Sequence, residues 1–118
     1  MHRFDRLKKI VGDAGITNLS MKTVLVVGVG GVGGYVVEGL VRSGIGRIII
    51  VDADVVDETN INRQIIALSS TVGQSKVDAF EKRIKDINEQ CEVIKINKFI
   101  DASNVDILFD YEFDYLVD

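Results

Sequence analysis

An α/β fold built on a doubly wound parallel sheet is predicted by three features of this 118-residue sequence. Two short, almost uniformly apolar runs, Thr23 to Val27 and Arg47 to Val51, read as strands buried on both faces. A glycine cluster followed by an apolar pattern of helical spacing lies between them. Strand, helix and strand then alternate again further on, which is the layout of right-handed parallel crossovers.

Taken in order, Arg3 to Val11 reads as a short amphipathic helix with Phe4, Leu7 and Ile10 or Val11 on one face and Gly12 at its stop. A second helical piece covers Ala14 to Leu19. After the strand Thr23 to Val27, Val32, Val36 and Leu40 recur at intervals of four, so a helix opens out of the glycine turn and ends at Gly44. The strand Arg47 to Val51 ends in Asp52, and a polar connection leads to a short helix expected over Arg63 to Leu68. Thr71 to Ser75 interrupts the pattern. Val77, Phe80, Ile84 and Ile87 then place one apolar stripe on a surface helix. Cys91 to Ile96 is the third strand, Ser103 to Phe109 a short helix, and Phe113 to Val117 the fourth strand.

Composition sets the outer bounds. With 47% apolar and 27% charged residues, the length fits one domain over 1–118, with short helices over 3–20 and a βαβαβ core over 22–118. A single cysteine forbids an internal disulfide framework. The longest nearly apolar stretch, the 14 residues from Val24 to Val37, falls short of the roughly 20 of a membrane helix, so no membrane partner and a cytoplasmic location are expected. Charge is uneven: residues 101–118 carry six acids and no cation within a total of −4. Neither end is basic enough to claim nucleic-acid binding from composition.

The run Gly28-Val29-Gly30-Gly31-Val32-Gly33-Gly34 lies where the first strand meets the first helix. Glycines there permit positive φ, let the backbone approach a phosphate, and bring helix and sheet together. Free amides and the positive end of the helix dipole attract an anion. Asp52 ends the next strand 24 residues after Gly28, the place of a carboxylate that binds ribose hydroxyls. Three readings stay open at this point: an NAD-binding oxidoreductase domain, an ATP-using enzyme, and glycines kept only for packing. Arg63 and Lys76 favour ATP, because displacing pyrophosphate calls for cations on the phosphate oxygens. Cys91 reads as a core residue without an activating partner.

Together, Gly28-x-Gly30-Gly31-x-Gly33, Asp52-x-Asp54, Asn60-x-x-Arg63-Gln64 and Lys76, thirteen residues after Arg63, resemble the ThiF/MoeB/HesA superfamily of ubiquitin-activating-enzyme-like proteins. The resemblance implies a Rossmann-like fold and adenylation of a substrate carboxylate by Mg-ATP. It implies that Gly28, Gly30, Gly31 and Gly33 lie against the nucleotide with Asp54, that Asp52 holds the ribose, and that Asn60, Arg63, Gln64 and Lys76 surround the phosphates. Arg6 matches an arginine that the family lends to the opposite subunit of a homodimer; as a plain helix residue it would pair with Asp5 or the acidic tail. Arg6, Arg63 and Lys76 are thus the expected catalytic cations.

Within the superfamily, Asp57-x-Thr59-Asn60-x-Asn62-Arg63-Gln64-Ile65-x-Ala67-Leu68 and Arg83-Ile84-x-x-Ile87-Asn88 are most similar to the branch that activates a threonylcarbamoyl group on a tRNA adenosine. The alternative acceptor is a ubiquitin-like sulfur-carrier protein, as in the ThiF/MoeB branch. No metal ligand is expected in this chain: the family's magnesium aspartate would follow about three residues beyond Asp118. The chain is therefore expected to be the nucleotide-binding part of a longer enzyme, nearly inactive alone. Its fourth strand is expected to leave an apolar edge that drives self-association.

Overall fold

The computed structural model of the protein describes residues 18–118. The expected helix Arg3 to Val11, Arg6 and most of the piece over 14–19 lie outside the described residues; residues 18–20 are helical. The elements that follow are β1 (Thr23–Val27), α1 (Gly31–Arg42), β2 (Arg47–Val51), α2 (Lys76–Ile87), β3 (Glu92–Ile96) and β4 (Tyr115–Val117). Two 3-10 turns, Glu58–Asn60 and Val105–Asp110, interrupt the connections.

The strands form a four-stranded parallel sheet in the order β3-β2-β1-β4. Leu25 stands opposite Ile49 on one side and Leu116 on the other, and Ile49 stands opposite Ile94. Alternate residues face opposite ways, so each central strand needs two apolar sets. Val24, Val26, Ile48 and Ile50 pack with Val37 and Val41 of α1 and with Val77, Phe80 and Ile84 of α2. Leu25, Ile49, Val51 and Ile96 pack on the other side with Leu108 of the second 3-10 turn.

This division follows from the crossover rule. The steps β1-α1-β2 and β2-α2-β3 run the same way, and right-handed connections put both helices on one face. The chain then doubles back past β1 to β4, so the segment between β3 and β4 covers the opposite face. The reversal creates a switch point between β1 and β4, and open α/β sheets bind ligands outside the carboxyl ends of strands at such a point.

Helix α2 begins at Ser75, whose hydroxyl accepts from the Asp78 amide at 3.3 Å. The helices are clamped by Glu38 of α1, which takes two bonds from Arg83 of α2 at 2.7 and 3.1 Å and one from Arg42 at 2.7 Å. Those guanidinium contacts, led by Arg83, hold the Glu38 carboxyl below its ordinary value.

Four expectations change. Arg63 to Leu68 is a series of turns, not a helix. The Thr71 hydroxyl bonds Ile66 O at 2.6 Å and accepts from the Leu68 amide at 2.9 Å, drawing these backbone groups away from a helical ladder. The helix expected over Ser103 to Phe109 is the tighter turn Val105–Asp110, preceded by an Asp101–Ser103–Asn104 loop whose side chains bond the backbone. Pairing of the third strand starts at Glu92, one residue after Cys91, and that of the fourth at Tyr115, after Phe113. Phe113 packs instead against the second core cluster.

Candidate functional site

The first crossover is shaped by two demands on its glycines. Gly28 has φ +83° and Gly31 φ +51°, in the left-handed region that side chains disfavour. At Gly33 the demand is space: a Cβ there would fall 1.8 Å from the carbonyl oxygen of Gly28. Gly33 is thus explained by the turn folding over the start of α1. The N-cap of α1 is Gly30, which offers no side-chain acceptor, and the first turn holds no acid. The positive end of this helix is therefore not neutralised by a side chain of its own cap or first turn, in contrast to α2 with its Ser75 cap.

Asp52 follows β2 directly across from this turn. Its Oδ2 accepts from the Val29 amide at 3.0 Å and its Oδ1 from the Asp54 amide at 2.8 Å. Beside it, a hollow of about 320 Å³ opens at the carboxyl ends of the strands, at the lower end of the size range of small-molecule sites. Val27, Val51, Phe99 and Ile100 give the hollow an apolar wall, while Asp52, Asp54, Lys98 and Asp118 give it polar groups. Lys98 and Phe99 were not among the residues expected from sequence. Both are exposed, and only their place just after β3, at the ligand-binding end of the sheet, could have marked them.

The expected phosphate residues arrive by the connection from β2 to α2. Lys76 is 5% exposed, and its amine lies 3.6 Å from Oδ2 of the exposed Asp54. The Lys76 amide also donates to the Asp54 carbonyl at 2.9 Å, so the start of α2 is tied to the segment leaving β2. A buried ammonium with one loosely placed carboxylate keeps much of its capacity to bind a further anion. Gln64 lies against the glycine turn: a Cβ on Gly30 would meet its Nε2 at 3.0 Å. Its Oε1 is buried without a hydrogen-bond partner, an orphaned acceptor at the edge of the turn.

Asn60 and Arg63 have local duties. The Asn60 Oδ1 accepts from the Asp57 amide at 3.2 Å and closes a capping box. Asp57 in turn accepts from the Thr59 amide and hydroxyl, which lower its carboxyl below the ordinary range. Arg63 is exposed, its Nη1 resting on Thr59 O at 3.1 Å and Asn62 Oδ1 at 3.2 Å. The fold therefore gathers Gly28, Gly30, Asp52, Asp54, Gln64 and Lys76 about the first crossover, with Arg63 adjoining Gln64 on the solvent side.

Cys91 is fully buried, and desolvation pushes its thiol up to about 11, so it is no ready nucleophile. Among the described residues, no group of three or more His, Cys, Asp or Glu side chains could hold a metal ion. Nor is any described helix long and apolar enough to cross a membrane.

The same fold recurs in known proteins. Over its full length the chain is 50% identical to the tRNA threonylcarbamoyladenosine dehydratase of Bacillus subtilis, covering 46% of that protein. Among solved structures, the tRNA N6-threonylcarbamoyladenosine dehydratase TcdA of Escherichia coli in complex with ATP matches with a TM-score of 0.93 and 36% identity, over 97% of this chain and 47% of that one. The complex of the same protein with AMP matches equally well, over 97% and 46%. The chain thus spans about half the length of the relatives it matches. The ThiF family model matches residues 4–118, so the glycine turn, Asp52 and Lys76 all fall within the matched region, and the chain belongs to the ThiF family.

Proposed function

We propose that this chain is the ATP-binding portion of an adenylate-forming enzyme whose substrate is the carboxylate of a threonylcarbamoyl group on a tRNA adenosine. The observation that carries the reading is the uncapped helix N-terminus and glycine turn beside a hollow that holds Asp52, with the buried Lys76 tied to the same segment. Support for ATP comes from the relatives solved with ATP and with AMP, the latter being the part of the nucleotide that an acyl-adenylate retains. Support for the tRNA substrate comes from the relatives, which are tRNA threonylcarbamoyladenosine dehydratases.

In this reading the apolar wall around Val27, Val51, Phe99 and Ile100 takes the base, and Asp52 faces the ribose. The amides at the start of α1 meet the phosphates. Lys76 and Arg63 stabilise charge as a substrate carboxylate oxygen bonds to the α-phosphorus and the bond to pyrophosphate breaks. Ring closure within the threonylcarbamoyl group then releases AMP, with no thiolate required. A magnesium ion bound to the triphosphate would neutralise part of its charge, and the described residues supply no carboxylate cluster to hold one. A homodimer in which Arg6 reaches the partner's site and a cytoplasmic location belong to the same proposal.

Thermal unfolding with Mg-ATP and with NAD separates this reading from an oxidoreductase domain. ATP at a hundred times its Kd should add about 2.7 kcal/mol of stability and raise Tm by several degrees. Stabilisation by NAD and none by ATP would overturn the proposal. In a chain extended to the length of its relatives, ATP–pyrophosphate exchange should depend on the modified tRNA rather than on a ubiquitin-like carrier protein. Arg63→Ala should lower that exchange by about a hundredfold.

A further inference from the structure

We propose that Asp52 is a positioning residue for the phosphate-binding turn, over and above any contact with a ribose. The inference rests on the nucleotide reading of this site but concerns a different task. A carboxylate kept only for ribose hydroxyls would present its oxygens to the hollow, whereas both oxygens here already accept from the backbone. Oδ2 takes the amide of Val29, which sits between Gly28 at φ +83° and Gly30 at the N-cap of α1. Oδ1 takes the amide of Asp54, whose carbonyl accepts from the Lys76 amide at 2.9 Å and whose carboxylate stands 3.6 Å from the Lys76 amine. One side chain thereby links the amides that would meet the phosphates to the segment that carries the buried cation.

Residue chemistry agrees with this task. Two amides arriving from different segments need two acceptor oxygens on a short side chain; an asparagine has one, and its amide nitrogen can only donate. Hydrogen bonds to an ionised acceptor are roughly twice as strong as neutral ones, which suits a turn holding left-handed glycines in place. Asp52 also carries negative charge next to a site for a polyanion, where it repels the ligand. A direct electrostatic effect on phosphate and the turn-shaping effect therefore have opposite signs.

The test uses the whole chain and inorganic tripolyphosphate, a probe without ribose, beside ATP, with titration calorimetry at fixed ionic strength. Asp52→Asn should weaken tripolyphosphate binding about tenfold although it removes a repulsive charge, and should weaken ATP by at least as much. Unchanged or tighter tripolyphosphate binding with weakened ATP would confine Asp52 to the ribose and overturn the inference. Hydrogen exchange on the unliganded chain gives a second readout. The Val29 and Asp54 amides should be protected in the wild type, and Asp52→Asn should release one or both while amides of β1 and β2 stay protected. Fast exchange of both amides in the wild type would also overturn the inference, even if the variant does not fold. A wild-type chain that binds neither ATP nor tripolyphosphate sinks the nucleotide proposal, and the exchange data still decide whether Asp52 shapes the turn.

Discussion

Gly33 and Gly39 lie in one helix yet answer to different physics. A methyl group on Gly33 would collide with the Gly28 carbonyl, whereas a Cβ on Gly39 meets no heavy atom within 4 Å. Gly33→Ala is expected to cost about 1–3 kcal/mol through overpacking and to abolish ATP binding by prising the turn from the helix. Gly39→Ala should stabilise by about 0.4–1 kcal/mol, because alanine lowers the freedom of the unfolded chain at no steric cost. Urea midpoints of the two variants check both signs. The same contrast explains what sequence could reveal at this scale. The glycine turn and Asp52 were legible because a strand, a turn and a helix frame them. Lys98 and Phe99 were not, since an exposed basic-aromatic pair after a strand carries no pattern of its own. Gln64 was expected at the phosphates, and its contact with Gly30 emerges only when the connection folds back.

Between elements, the contact to test is the Glu38–Arg83 pair joining α1 to α2. Its side chains are 12% and 28% exposed, so it is more sheltered than an ordinary surface bridge. Because the folded-state pKa of Glu38 is depressed, its contribution is complete above the ordinary glutamate value of 4.5 and is lost as pH falls through the lowered value. Asp57, Asp78 and Asp101 shift in the same direction at the surface. Glu38→Gln should cost about 1–2 kcal/mol at pH 7 and leave a shallower fall in stability below pH 4.5, read from urea titrations across that range. Long periodic elements were the most legible part of the chain: α2, Lys76–Ile87, carries the apolar stripe from Val77 to Ile87 that the sequence places on a helix. The stretch from Arg63 to Leu68 shows the opposite, because one threonine hydroxyl from outside the segment captures the backbone that a helix would have used.

Across the whole molecule, the sheet's two edges differ. Lys95 on β3 is paired with Asp78 and Glu81, and such charges discourage pairing with another strand. On β4, Tyr115 and Leu116 are 63% and 44% exposed. Concentration-dependent self-association through β4 is therefore expected in sedimentation equilibrium, and Leu116→Lys should weaken it by about tenfold. A monomer at high micromolar concentration would refute this. The parallel order was legible because crossover handedness leaves few choices once the strands are placed, while the two-sided core follows from their unbroken apolar runs.

Pairing of the fourth strand with the first closes a long loop. The Thr23 amide donates to the Asp114 carboxylate across a separation of 91 residues, whereas Gly28, Asp52, Asp54 and Lys76 lie within the first two crossovers. Loop-closure entropy makes so distant a pairing slow relative to local ones. During synthesis from the amino end, the apparatus for gripping a polyanion can thus assemble before β4 pairs with β1, and a bound nucleotide would favour that pairing.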